Sequence, residues 1–232
     1  MEEYNNNSTA KYFIIFAILL FIIFQRVYFD QTVLTNVEME PFSEPIQEII
    51  LNGKTFEHKT AEGVAEITPI ANYKIYGRVM DKHFRPSKLQ WAAIYPYDAT
   101  IAFGKFKHKE VCDNVKFRMV STVVYYNWSN SAWHKHLKKY FNNHSELMYN
   151  ITNNHICPAN KYVTRGLKKL KKRDVVYIEG YLMKFKLKTK DGKIEQGVSS
   201  TSRNDSFGGD NGYGNCEQIY VTRVVSRHGD FK

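Results

Sequence analysis

The chain has 232 residues, 43% apolar and 24% charged, a composition that can bury a core and that excludes a disordered, collagenous or polytopic membrane protein. Its formal charge of +10 points to acidic partners, and the excess is uneven: up to Tyr73 there are 4 Lys/Arg against 10 Asp/Glu, and from Lys74 onward 29 against 13. Residues 1–11 are a short tail. Tyr12 to Phe24 is an uncharged apolar run that Val27 to Phe29 extends if Arg26 snorkels, and residues 12–29 are expected to be a single transmembrane helix. Gln25 to Asp30 offers no small-x-small cleavage site, so an anchor is expected rather than a cleaved signal.

Residues 30–70 read as an acidic stem with prolines at 41, 45 and 69 and, at Ile46 to Leu51, a helical turn or two. Residues 71–232 read as a β-rich globular domain. Tyr73 to Met80, Thr100 to Phe106 and Val115 to Tyr126 alternate apolar and polar positions as half-buried strands do. Ser131 to Met148 and Pro158 to Lys172 carry helical stripes. Val175 to Leu187, a turn at Lys190-Asp-Gly-Lys193 and Glu217 to Val225 complete the pattern, with Asp-Gly marking a hairpin. The fold class expected is α+β, mainly β: a transmembrane helix followed by an OB-like or small-barrel domain with one or two helices.

From Leu167 to Ser202 the order of helix, strand, Gly180 and hairpin resembles the late strands of the OB-fold of bacterial single-stranded DNA-binding proteins. That likeness implies a first barrel strand at Tyr76-Gly-Arg-Val, with Gly77 and Gly180 permitting tight coiling. A wider likeness runs from Tyr73 to Val225. Asn153-Asn-His-Ile-Cys-Pro-Ala159, Arg173-Asp-Val-Val-Tyr-Ile-Glu-Gly-Tyr-Leu182, Ser199-Ser-Thr-Ser-Arg-Asn-Asp205 and Cys216-Glu217 are similar to segments of an uncharacterised bacterial family of membrane-anchored proteins. The resemblance implies a short N-terminal anchor and one extracytoplasmic, periplasmic β-rich domain at the cell membrane. It implies no activity. Arg173 stands where the family has glycine, Cys157 interrupts Ile-Pro, and residues 207–213 lengthen a loop. In an oxidising compartment a disulfide is expected between Cys112 and Cys157, because Cys216 is the family-like position.

The chemistry is sparse. No Cys-x-x-Cys pair marks a metal or redox site, and His134 and His136, two apart on a helix, cannot share an ion, so no metal and no cofactor is expected. The Gly208 to Gly214 run has neither the P-loop lysine nor the dinucleotide spacing and reads as a long hairpin loop. Candidate binding residues are Asn153, His155, Arg203, Asp205 and Glu217, with His155 in a turn leading into a helix. A nucleophilic Cys216 would need a basic neighbour such as Arg203 or His155.

The strongest physical signal is the basic stretch Lys161 to Lys190, with 11 Lys/Arg against Asp174 and Glu179. Lys168, Lys169, Lys171, Lys172, Lys184 and Lys186 alternate or neighbour Tyr177 and Tyr181, which leaves two readings open: a stacking platform for nucleic-acid bases, or a barrel core with a wet basic outside. The partners expected are the membrane and a protein or anionic envelope component, with nucleic acid as the alternative. The function expected is that of a binding or assembly module; an envelope enzyme using His155, Arg203, Asp205 and Glu217 is the third reading.

Overall fold

The structure is a computed structural model that describes residues 7–32, 37–85, 91–120, 122–201 and 216–232, with the side chains of the first helix described over 10–23. Its elements in chain order are α1 (Asn7–Thr32), β1 (Ile46–Ile49), β2 (Phe56–Lys59), β3 (Gly63–Phe84), β4 (Tyr97–Ala102), α2 (Lys109–Asn114), β5 (Lys116–Val120) and β6 (Val123–Asn127). They continue with α3 (Asn130–Ala132), α4 (His144–Tyr149), β7 (Ile151–Pro158), α5 (Lys161–Lys169), β8 (Val175–Thr189), β9 (Ile194–Val198), β10 (Cys216–Ser226) and β11 (Gly229–Phe231).

Five strands close on themselves. β3 pairs with β4, β4 with β7, β7 with β10, β10 with β8, and β8 returns to β3. Every pairing is antiparallel except that of β7 with β10, which is parallel. The expected barrel-like, mainly β domain is therefore present. Closure removes the exposed edges that an open sheet would present. Alternation along β3 sends Ala71, Tyr73 and Ile75 into the interior, where they meet Tyr97, Ala99 and Ile101 of β4, Ile156 of β7, Ile178 of β8 and Ile219 of β10. A Cβ on Gly180 would stand 2.0 Å from the Tyr220 carbonyl oxygen and one on Gly77 2.5 Å from that of Ala102, so both glycines serve close backbone approach. Pro69 lacks an N–H, and the β3–β8 register shifts beside it.

One end of the interior is stoppered by α5. Asn160 Oδ1 caps it by accepting from the N–H groups of Tyr162 at 2.8 Å and Val163 at 3.0 Å. That cap starts the helix three residues later than Pro158, which instead ends β7. Val163, Leu167 and Leu170 fill the barrel mouth. Between β4 and β7 the chain makes a second core, in which Phe106, Val111, Cys112, Leu137, Phe141 and Leu147 pack together. Here the single helix expected over Ser131 to Met148 is two pieces, because Ser129 and Asn143 each cap a separate start.

Three expectations are corrected. First, among the described residues no helix is long and apolar enough to cross a membrane, so α1 is not the transmembrane anchor expected over 12–29. The unbroken apolar run is 13 residues, about 20 Å of helix at ~1.5 Å per residue, against roughly 30 Å of hydrocarbon, and Gln25 and Arg26 end it. Second, part of the segment read as a stem belongs to the sheet: Ile46–Ile49 is a strand on β3 rather than a helical turn, and Ile67 is fully buried. Third, Cys112 and Cys157 are both free thiols. Cys112 lies in the second core and donates to the Phe106 carbonyl at 3.1 Å, whereas Cys157 is buried with Tyr95 and Phe185 in a different cluster, so no disulfide joins them.

Candidate thiol site

β4, β7 and β10 lie side by side, and their register aligns two rows of side chains on the face turned away from the barrel interior. Asp98 is opposite His155, which is opposite Gln218; Thr100 is opposite Asn153, which is opposite Cys216. Because side chains alternate, residues two apart share a face, so all six stand together while Tyr97, Ala99, Ile156 and Ile219 point into the barrel. The turn carrying Ile94 and Tyr95 covers part of this outer face, packing Tyr95 on Phe185 with ring centroids 5.4 Å apart.

Asp98 is 1% exposed and holds the site together. It accepts two hydrogen bonds from Arg85, from Nε at 3.1 Å and from Nη2 at 2.7 Å, and its Oδ1 lies 2.5 Å from His155 Nδ1. Arg85 Nη2 is also 3.0 Å from Nδ1. A nitrogen that donates to the carboxylate cannot also accept from the guanidinium, so the network assigns the proton on Nδ1 to Asp98 and makes the Arg85 contact one of proximity. Cys216 stands diagonally across from His155, opposite Asn153 on the same pair of strands, so thiol and imidazole share one face. Burial pulls the His155 pKa down, but the Asp98 carboxylate and the neighbouring Cys216 outweigh it and lift the value to about 9. Carboxylate, imidazole and thiol thus share one face across three strands, with Cys216 one row over from Asp98 and His155.

The surroundings are polar and enclosed. Asn153 Nδ2 donates to the Thr122 carbonyl at 2.8 Å and lies 3.6 Å from Cys216 Sγ. Among the described residues, Asn153 Oδ1 and Thr100 Oγ1 are buried without a hydrogen-bond partner. Buried polar atoms are nearly always satisfied, so two orphans on neighbouring strands beside a thiol set this face apart from the rest of the sheet. Tyr95 donates to Gln218 Oε1 at 2.7 Å and closes the row beyond His155.

Of the residues singled out from the sequence, Asn153 and His155 are in this site, and His155 lies within a strand rather than in a turn. Glu217 is on the other face of β10, where it accepts from Gln47 and from Ser199, both at 3.2 Å. Arg203, Asp205 and the Gly208 to Gly214 loop lie outside the described residues. Asp98, Arg85 and Thr100 carried no motif; the signal available was an aspartate at a polar position of an alternating strand, with nothing to say that its face is buried.

The basic stretch divides. Tyr177 is buried against Tyr76 and Phe185 against Trp91 and Tyr95, while Lys184 and Lys186 are exposed on the opposite side of β8. Tyr177 and Phe185 are thus core, while Tyr181, on the same side of β8, is half-buried. Lys168, Lys169, Lys171 and Lys172 instead line a separate surface cleft with Lys82 and His228. Among the described residues no group of three or more His, Cys, Asp or Glu side chains is placed to hold a metal ion. The chain matches no protein-family model, no curated protein and no solved structure.

Proposed function

We propose that the protein is a thiol-dependent acyl-transfer enzyme in which Cys216 is the nucleophile and His155 the group that gives and takes the proton. The observation that carries this reading is that Asp98, His155 and Cys216 share one face of three neighbouring strands, with Nδ1 of the imidazole on the carboxylate and the thiol one row away. That is the arrangement by which an imidazole activates a nucleophile while a carboxylate fixes its tautomer. With the imidazole already protonated, its pKa being raised to about 9, Sγ attacks a carbonyl carbon as the thiolate, and the departing group takes a proton from His155 as its bond to that carbon breaks. Water or an amine then attacks the thioester carbonyl, gives a proton to His155, and releases Cys216 as the thiolate. The Asn153 side-chain N–H, close to Sγ, is placed to donate to the oxyanion that forms beside the sulfur. Arg85 is a positioning residue that holds Asp98.

The topology supports the same place. A meander of three strands, then a helix, then two more strands, with the third and fifth parallel, is the order of an OB-like barrel, and barrels of that kind bind ligands on the face of their second and third strands. In this chain those strands are β4 and β7.

The test is alkylation of the native protein by iodoacetamide, read residue by residue by mass spectrometry. Cys216 is expected to react at least tenfold faster near pH 7 than a cysteine in an unfolded peptide, and far faster than buried Cys112 and Cys157. His155→Ala should slow it by roughly tenfold or more. A Cys216 that reacts no faster than the peptide, or a rate indifferent to His155→Ala, refutes the proposal.

A further inference from the structure

A second cleft, of about 730 Å³, is built by residues that the thiol chemistry does not use. Arg78 of β3, Arg173 of the loop before β8 and Arg227 after β10 converge on it, joined by Lys109 and Lys172 against two carboxylates, Asp113 and Asp174. Each guanidinium is held from behind. Arg78 Nη1 donates to the Arg173 carbonyl at 2.9 Å, Arg173 pairs with Asp113 and donates to the Cys112 carbonyl at 3.3 Å, and Arg227 Nη2 pairs with Asp174 at 2.8 Å. Anchored in this way, the three planar forks are fixed before any ligand arrives, which lowers the entropic cost of binding one.

Two further observations mark the cleft as a site for an anion. The Nε atoms of Arg78 and Arg227 are both buried and without an acceptor among the described residues. A buried charged donor left unpaired is costly, and an incoming oxyanion supplies what it lacks. Arg173 also has a backbone φ of +73°, a left-handed conformation that a non-glycine residue adopts only under strain. The strain is kept where an arginine side chain faces the cleft. The neighbouring cleft of about 620 Å³ shares Lys172 and adds Lys82, Lys168, Lys169 and Lys171, so positive charge continues past the first pocket.

We propose that this cleft binds a compact phosphate-bearing anion of the diphosphate class, with Arg78, Arg173 and Arg227 donating to one phosphoryl group and the adjoining lysines screening the next. Among the described residues no Phe, Tyr or Trp lines either cleft, so they offer no surface for base stacking, and a nucleic-acid strand is disfavoured as the occupant.

The experiment is calorimetric titration of the full chain with pyrophosphate at low ionic strength, chloride being matched. Saturable binding at one site is expected. Arg227→Gln and Arg78→Gln should each weaken it about tenfold or more. Arg173→Gly removes a guanidinium while suiting the backbone, so it should weaken binding similarly with a melting temperature equal to or above that of the parent. Lys135→Gln, on an exposed part of the second core, should change nothing. Pyrophosphate that fails to saturate, an Arg173→Gly variant of unchanged affinity, a Lys135→Gln variant that weakens as much, or a single-stranded oligonucleotide that binds more tightly at equal phosphate concentration would each overturn the proposal.

Discussion

Two buried aspartates in this molecule are each held by one arginine and one histidine. Asp98 is gripped by Arg85 and His155, Asp174 by Arg227 and His228, and both carboxylates are almost wholly enclosed. The resemblance ends at their partners. Around Asp98 the arginine side chain is 2% exposed and the histidine 10%; around Asp174 the figures are 29% and 22%. Asp174 spends its remaining capacity on local structure, accepting from the Lys171 N–H at 2.7 Å and so tying the loop between α5 and β8. Asp98 has no such duty, and the imidazole it orients shares its face with the Cys216 thiol. An Asp–His pair is a fastener when the ring stops there and a piece of acid–base machinery when its second nitrogen faces a nucleophile. Dryness separates them too, since charges buried on all sides interact more strongly than charges half in water.

The largest expected effect breaks the drier trio. Asp98→Ala strands a buried guanidinium and imidazole without their counter-charge and should cost about 3–5 kcal/mol in denaturant unfolding. Next comes pH. The folded pKa of His155 is raised from 6.5 to about 9, so the stability it contributes is complete below about 6.5 and disappears as pH rises through about 9. Unfolding free energy should therefore fall by on the order of 2 kcal/mol across that window, and His155→Gln should flatten the profile. Asp174→Ala leaves partners that water can reach and should cost only roughly 1–3 kcal/mol. A loss as large as that of Asp98→Ala would erase the distinction between the two sites. In the alkylation assay His228→Ala should leave Cys216 unaffected, in contrast to His155→Ala. Smallest is Thr100→Val, which removes an orphaned hydroxyl and should be neutral or stabilising by up to ~1 kcal/mol in the same unfolding measurement.

Much of the barrel was legible residue by residue. β3, β8 and β10 announce themselves by alternation, and Lys190 to Lys193 turns as Asp-Gly predicts, with Gly192 at φ +84°. β7 was not legible, and the reason is physical. From Ile151 to Cys157 every residue is buried, because the barrel interior lies on one side and the Tyr95 turn and the thiol site on the other. A strand covered on both faces loses its period, and when one of those faces is polar its Asn and His read as a turn. The helix expected over Ser131 to Met148 failed for a different cause, since two caps divide a stripe that periodicity alone joins. The apolar run of α1 read as a span because its flanks were added to it; the uninterrupted part is too short.

By itself the sequence determined the β-rich class and the concentration of positive charge beyond residue 160, because period and charge are local properties. It also named His155 and weighed Cys216. Only the tertiary structure decided that Asp98 stands behind that histidine and that Tyr177 and Phe185 are core rather than platform. It alone gathered Arg78, Arg173 and Arg227 into one cleft. Those pairings join residues 57, 60 and more positions apart, brought together by strand register, and register is set by how the whole barrel closes rather than by any segment within it.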